Sequence, residues 1–173
     1  MLFENVCIEA ISYTLPDEIV TSEEIERRLG PAYTRLKLPP GRLEAMSGIR
    51  ERRVWPRGTL PGRISAITAR KALEQAKLDP RHVGALIHGS VCRDYLEPAT
   101  ACGVHQALGL PERCLVFDLS NACLGLLNGV LQVAQLIELG QIEAGLVVGT
   151  ESSRHLLEST IERLNRDTTI TRK

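Results

Sequence analysis

The sequence predicts an α/β protein built on a mostly parallel sheet. Three near-continuous apolar runs, residues 83–91, 114–119 and 144–148, read as strands covered on both faces. Helical patterns at residues 100–108 and 121–139 separate them, each stopped by a glycine, Gly109 or Gly140. Strand–helix–strand connections of this kind run the strands parallel and wind right-handed.

Each element has its own local reason. Residues 6–13 mix β-branched and apolar side chains and stop short of Pro16, which predicts a first strand. Thr21-Ser22-Glu23-Glu24 reads as a capping box that opens a helix running to about Leu29, before Gly30-Pro31. Residues 31–47 are proline-rich, with one helical signal at 42–46, and residues 49–55 predict a short strand. Pro61 suits a helix start, and Ile64, Ile67, Ala69, Ala72, Leu73 and Ala76 are spaced for one apolar face. Residues 121–139 are apolar on every side, so this helix is predicted to be buried. Residues 153–164 predict a final helix.

Bulk properties exclude several classes. Lys plus Arg and Asp plus Glu each number 21, giving zero formal net charge and no call for nucleic acid or an anionic membrane. No apolar run reaches membrane-spanning length, and residues 1–5 show no secretory pattern, so a reducing cytoplasm is expected. The five cysteines are scattered without a Cys-x-x-Cys pair, against both a disulfide framework and a metal site. Arg50, Arg52, Arg53 and Arg57 form a local basic cluster, either a solvated surface or a grip on a phosphate-bearing ligand.

The chemistry concentrates at strand ends. Parallel sheets place function in the loops after their strands. Here those loops are residues 93–98, 120–123 and 149–151. In the second, an apolar strand enters a small-residue turn and Cys123 stands where a helix begins. Helix N-termini favour thiolate over thiol, the nucleophilic form. A buried structural cysteine is the other reading of that residue. Cys92 and Cys102 are expected to pack, and His82, His88, His105 and His155 to be structural.

Three segments carry a family resemblance. Ser47-Gly48-Ile49-Arg50-Glu51-Arg52-Arg53, Asp118-Leu119-Ser120-Asn121-Ala122-Cys123-Leu124-Gly125 and Ala144-Gly145-Leu146-Val147-Val148-Gly149 resemble the ketoacyl-acyl-carrier-protein synthase III branch of the thiolase superfamily. Within it, residues 90–100 look most like the OleA family, which joins two fatty acyl-CoA molecules head to head. The resemblance implies a layered thiolase-like fold with a buried central helix. It implies that Cys123 is the nucleophile that takes an acyl chain from CoA. Glu97 precedes Cys123 at the separation that family shows, and is implied to be the base that crosses a homodimer interface to serve the partner subunit. Flanked by Leu96 and Pro98, Glu97 is expected in a dry pocket, where a carboxylate is a stronger base. Arg52 and Arg53 are the expected CoA contacts, while Arg42 and Met46 stand where relatives grip the adenine. CoA enters as part of the substrate, and no separate cofactor is implied.

The resemblance also covers only part of the family pattern. The histidine and asparagine that polarise the thioester oxygen belong to the second half of chains about twice this length. Residues 1–173 are therefore expected to be the N-terminal half of a condensing enzyme, completed by a second polypeptide. The basic end at Arg172-Lys173 suits a trypsin-like nick, and a split gene or an engineered truncation would explain the join equally. Two other functions stay open: a decarboxylating synthase III of fatty-acid initiation, and a non-catalytic interface subunit. No G-x-G-x-x-G follows the first strand, which disfavours a nucleotide-binding Rossmann domain.

Overall fold

The chain lays down β1 (Glu18–Thr21), α1 (Ser22–Arg28), α2 (Gly30–Leu36), α3 (Arg42–Ser47), β2 (Glu51–Val54) and α4 (Pro61–Ala76). There follow β3 (Val83–Gly89), α5 (Thr100–Leu108), β4 (Leu115–Leu119), α6 (Gly125–Glu138), β5 (Ala144–Val148) and α7 (Arg154–Arg166). The structure is a computed structural model that describes residues 2–171. Arg172 and Lys173, where a nick is one possible join, lie outside the described residues. The elements fall into two units: residues up to Thr14 with Thr59–Glu151, and Leu15–Gly58 with the residues after Glu151.

The larger unit is a three-stranded parallel sheet in the order β4-β3-β5. Central β3 pairs Ala85–Gly89 with Leu115–Leu119 on one side, and Val83–His88 with Ala144–Val148 on the other. Successive strand side chains point to opposite faces, so β3 feeds two cores. Val83 and Leu86 pack with Ala66, Ala69 and Leu73 of α4 and with Val104 and Leu108 of α5. Ala85 and Ile87 pack with Val133 of α6. The parallel α/β expectation therefore holds, and α5 and β5 match their expected spans.

Three expectations are corrected here. Residues 6–13 form no strand, because no other described strand lies beside them to complete the hydrogen-bond ladder. They run as an irregular segment held at its ends. Glu4 and Asn5 donate backbone N–H to the Glu138 carboxylate, and the Thr68 hydroxyl donates to Thr14 Oγ1 at 2.7 Å. The apolar face of α4 is rotated from the expected one, with Ser65, Ala66, Ala69 and Leu73 buried and Ile67 exposed. Finally, α6 starts at Gly125 and is only half covered. Gly125, Gly129, Val133 and Ala134 meet the sheet, whereas Leu127 is 59% exposed and Leu131 42%. A sheet can cover one side of a helix, and this helix is apolar on both.

In the smaller unit β1 and β2 pair antiparallel, Glu18 opposite Val54 and Thr21 opposite Glu51. The capping signal is borne out: Thr21 Oγ1 accepts from the Glu24 N–H at 3.0 Å. Val20, Ile25, Val54 and Ile161 of α7 form its core. The additional helix α2 uses Pro31 in its first turn, a position where a missing N–H costs nothing.

Candidate active site

Cys123 sits in a tight turn ahead of α6. Leu124 is the N-cap, so the cysteine lies one residue before the cap rather than within the helix. Leu124 N–H donates to the Asn121 carbonyl at 2.9 Å, and Asn121 Nδ2 donates to Asn128 Oδ1 at 2.5 Å, tying the turn to the first helical turn. Ala122 adopts a positive φ of 44°, sparsely populated for a residue with a Cβ. The Cys123 side chain is exposed.

Glycines let this elbow press onto the strand ends. A Cβ at Gly89 would lie 2.7 Å from the Gly125 carbonyl carbon, and one at Gly149 would lie 2.3 Å from the Gly89 carbonyl oxygen. A Cβ at Gly125 would lie 3.2 Å from the Leu119 oxygen. The ends of β3, β4 and β5 and the start of α6 therefore meet backbone to backbone, and a side chain at Gly89 would push α6 away.

The loop carrying Glu97 leaves the same edge after β3. Its first residues are fixed by Glu151, which follows β5. Val91 N–H donates to Glu151 Oε1 at 2.8 Å, Cys92 N–H to Oε2 at 3.3 Å, and the Ser90 hydroxyl to Oε1 at 3.0 Å. Burial pushes the Glu151 carboxyl up, but these donors together with the Cys92 thiol outweigh it and hold the group below its ordinary value. Beneath them the Ser65 and Thr150 hydroxyls form a buried 2.8 Å hydrogen bond.

Aspartates fix the far end of that loop. Gly62 N–H at the start of α4 donates to Asp94 Oδ1 at 2.7 Å, and Asp94 N–H donates to Thr100 Oγ1 at 3.1 Å. Thr100 and Ala101 donate their N–H groups to the two oxygens of Asp118, each at 2.8 Å, so a residue of β4 caps α5. His88 is fully buried, with Nδ1 3.9 Å from Asp118 Oδ1, and burial holds its imidazole below the ordinary value, hence neutral.

The sequence-derived residues fare differently. Cys123 and Glu97 lie in loops at one edge of one sheet, as expected. The dry pocket does not form among the described residues: Glu97 is exposed, and Leu96 at 85% exposure does not fold over it. Arg52 and Arg53 belong to the smaller unit, where Arg52 donates to Ser22 Oγ at 3.0 Å and Arg53 to the Pro16 carbonyl at 2.9 Å. Cys102, expected to pack, is exposed. Among the described residues no group of His, Cys, Asp and Glu is arranged to hold a metal, and no helix is long and apolar enough to cross a membrane. The Glu151 clamp and the Asp118 cap are absent from the sequence reading. The signal available for Asp118 was an acidic residue in a strand facing a neighbouring helix start, whereas Glu151, whose partners are loop residues 90–92, carries no such signal.

The profile of the thiolase N-terminal domain matches residues 49–170, which include this whole edge. The chain belongs to the thiolase family. It is 44% identical over 172 residues to an acyl-CoA:acyl-CoA alkyltransferase of Shewanella oneidensis, covering 98% of this chain and 49% of that one. Against the acyl-CoA:acyl-CoA alkyltransferase of Xanthomonas campestris pv. campestris it is 40% identical over 164 residues, 95% of this chain and 48% of that one. A beta-ketoacyl-[acyl-carrier-protein] synthase III of Alkalilimnicola ehrlichii is 32% identical over 144 residues, 83% of this chain and 42% of that one. Crystal structures of Xanthomonas campestris OleA superpose with a TM-score of 0.94 at 38% identity, covering 98% of this chain and 49% of that one. One of them, with bound lauric acid and lauroyl-CoA, gives 0.91 at 38% identity, 96% and 50%. This thiolase-family chain spans about half the length of the relatives it matches.

Proposed function

We propose that this chain contributes the nucleophile and the base of an acyltransferase that condenses two fatty acyl-CoAs without decarboxylation. Cys123 sulfur attacks the carbonyl of the first acyl-CoA, the carbon–sulfur bond to CoA breaks, and CoA leaves as the thiol. Glu97 then removes a proton from the carbon beside the carbonyl of the second acyl-CoA. That carbanion attacks the acyl-cysteine carbonyl, a carbon–carbon bond forms, and the Cys123 sulfur departs. The product is a 2-alkyl-3-ketoacyl thioester, with the proton on Glu97.

The single observation that carries this reading is the shared edge: an exposed sulfur on a rigid elbow and an exposed carboxylate on an anchored loop, after neighbouring parallel strands. Solved OleA variants add support, since the substituted glutamate and cysteine in them are separated by as many residues as Glu97 and Cys123. Glu97 at an exposed loop tip suits delivery to a partner subunit's elbow. A second polypeptide carrying the oxyanion histidine and asparagine completes the enzyme. Similarity to synthase III enzymes supports a second reading, decarboxylating condensation, which needs no base.

The test uses the chain co-purified with the polypeptide that completes it, and lauroyl-CoA as probe. Cys123→Ala abolishes both the acyl mass shift and condensation. Glu97→Gln keeps the mass shift and CoA release but lowers condensation by about a hundredfold or more, the usual contribution of a positioned base. Full condensation of lauroyl-CoA by Glu97→Gln overturns Glu97 as the base, condensation only when a malonyl thioester is supplied, with release of carbon dioxide, favours the decarboxylating reading, and an inert Cys123 overturns both.

A further inference from the structure

Glu97 reaches its position through a loop whose two ends are held by polar contacts rather than by packing. At the outgoing end the Glu151 carboxylate spans three donors, the N–H groups of Val91 and Cys92 and the Ser90 hydroxyl, at 2.8, 3.3 and 3.0 Å. The Ser90 hydroxyl, with its single hydrogen, also lies 2.8 Å from the Thr150 carbonyl and accepts from the Cys92 N–H at 3.1 Å, so it shares its proton between the two residues that follow β5. At the returning end Asp94 and Thr100 fix the chain to the starts of α4 and α5. Between the anchors, Tyr95 and Leu96 are exposed, so nothing packs the tip into place.

We infer that Glu151 is a positioning residue for the condensation step, setting where Glu97 stands by clamping the root of its loop. This rests on the reading of Glu97 as the base. Charge-assisted acceptor bonds are strong and directional, and a carboxylate offers two acceptors where an amide offers one. Glu151→Gln keeps the shape but turns an NH2 group toward a backbone N–H. The root then loses an anchor, and a base displaced by an ångström loses much of its rate. Cys123 hangs from β4 and α6, on contacts that Glu151 does not make, so loading the sulfur proceeds unchanged.

The experiment compares the assembled wild-type protein, Glu151→Gln, Ser90→Ala and Glu97→Gln with lauroyl-CoA. It reads CoA release, condensation, folded fraction, and amide hydrogen exchange across residues 91–98. For Glu151→Gln we expect condensation down about tenfold, acylation of Cys123 within about twofold of wild type, and faster exchange confined to the loop. Ser90→Ala, which removes the hydroxyl shared by Glu151, the Thr150 carbonyl and the Cys92 N–H but no charge, gives a smaller shift in the same direction and serves if Glu151→Gln folds poorly. Unchanged loop exchange overturns the clamp. Faster exchange with unchanged condensation overturns the positioning role. Equal losses in acylation and condensation, scaling with folded fraction, reduce Glu151 to a purely structural residue and also overturn it. Full activity in Glu97→Gln instead overturns the base reading and, with it, the catalytic half of the inference, while the loop exchange of Glu151→Gln still reads the clamp on its own.

Discussion

The Cys123 elbow and the Glu97 loop leave the same sheet edge but are held in place by different physics. Contact fixes the elbow: Gly89, Gly125 and Gly149 let backbones touch, and no side chain intervenes. Charge and hydrogen bonds fix the loop, through Glu151 and Asp118 accepting from backbone N–H groups and Asp94 bracing the α4 start. Steric positioning is insensitive to pH and intolerant of added volume. Polar positioning is the reverse. The difference suits the proposed roles, since an attacking sulfur would need one fixed place while a loop serving a second subunit would have to stand away from its own core.

The largest effect should come from breaking the steric half. Gly149→Ala places a Cβ against the Gly89 carbonyl oxygen, backbone that cannot swing aside, and should cost about 3 kcal/mol or more. Chemical denaturation would show it as a lower midpoint with unchanged slope. Acid should act on the polar half instead. The folded Glu151 carboxyl lies below its ordinary value, so the clamp is fully present above the unfolded value and is lost as pH falls through the lowered one. Amide exchange at Val91 and Cys92 should accelerate over that acid range, and the acceleration should vanish in Glu151→Gln; an identical pH response in both proteins would assign it elsewhere. The smallest effect belongs to the tip. Leu96→Ser should change stability by less than about 0.5 kcal/mol, because the side chain contributes little burial. A larger loss in thermal melting would mean the loop is packed rather than hung.

Legibility followed the same division. Elements defined by local pattern were readable: α5 between Thr100 and its glycine stop, β5 as an unbroken apolar run, and the Thr21 cap of α1. The segment at residues 6–13 has strand composition but no described partner, and pairing is a property of two segments rather than one. The start of α6 was read too early because Asn121 to Leu124 look helical by composition. A positive φ at Ala122 and close approach to Gly89 break the helix there, and neither is encoded in periodicity. The place of Cys123 could be read because a lone sulfur between a strand pattern and a helix pattern is visible locally. Glu151 could not, since its partners lie about sixty residues earlier in the chain. Within this chain Glu97 and Leu96 are both exposed, because neighbours in sequence need not cover one another in space.

Ala122 narrows what sequence the elbow can use. At a φ of 44° glycine is comfortable, asparagine and aspartate are tolerable, and valine, isoleucine and threonine are shut out by their branched Cβ. With Gly125 crowded against the Leu119 carbonyl as well, a library randomised across residues 120–125 would lose many of its members to backbone geometry before their sulfur chemistry could be compared.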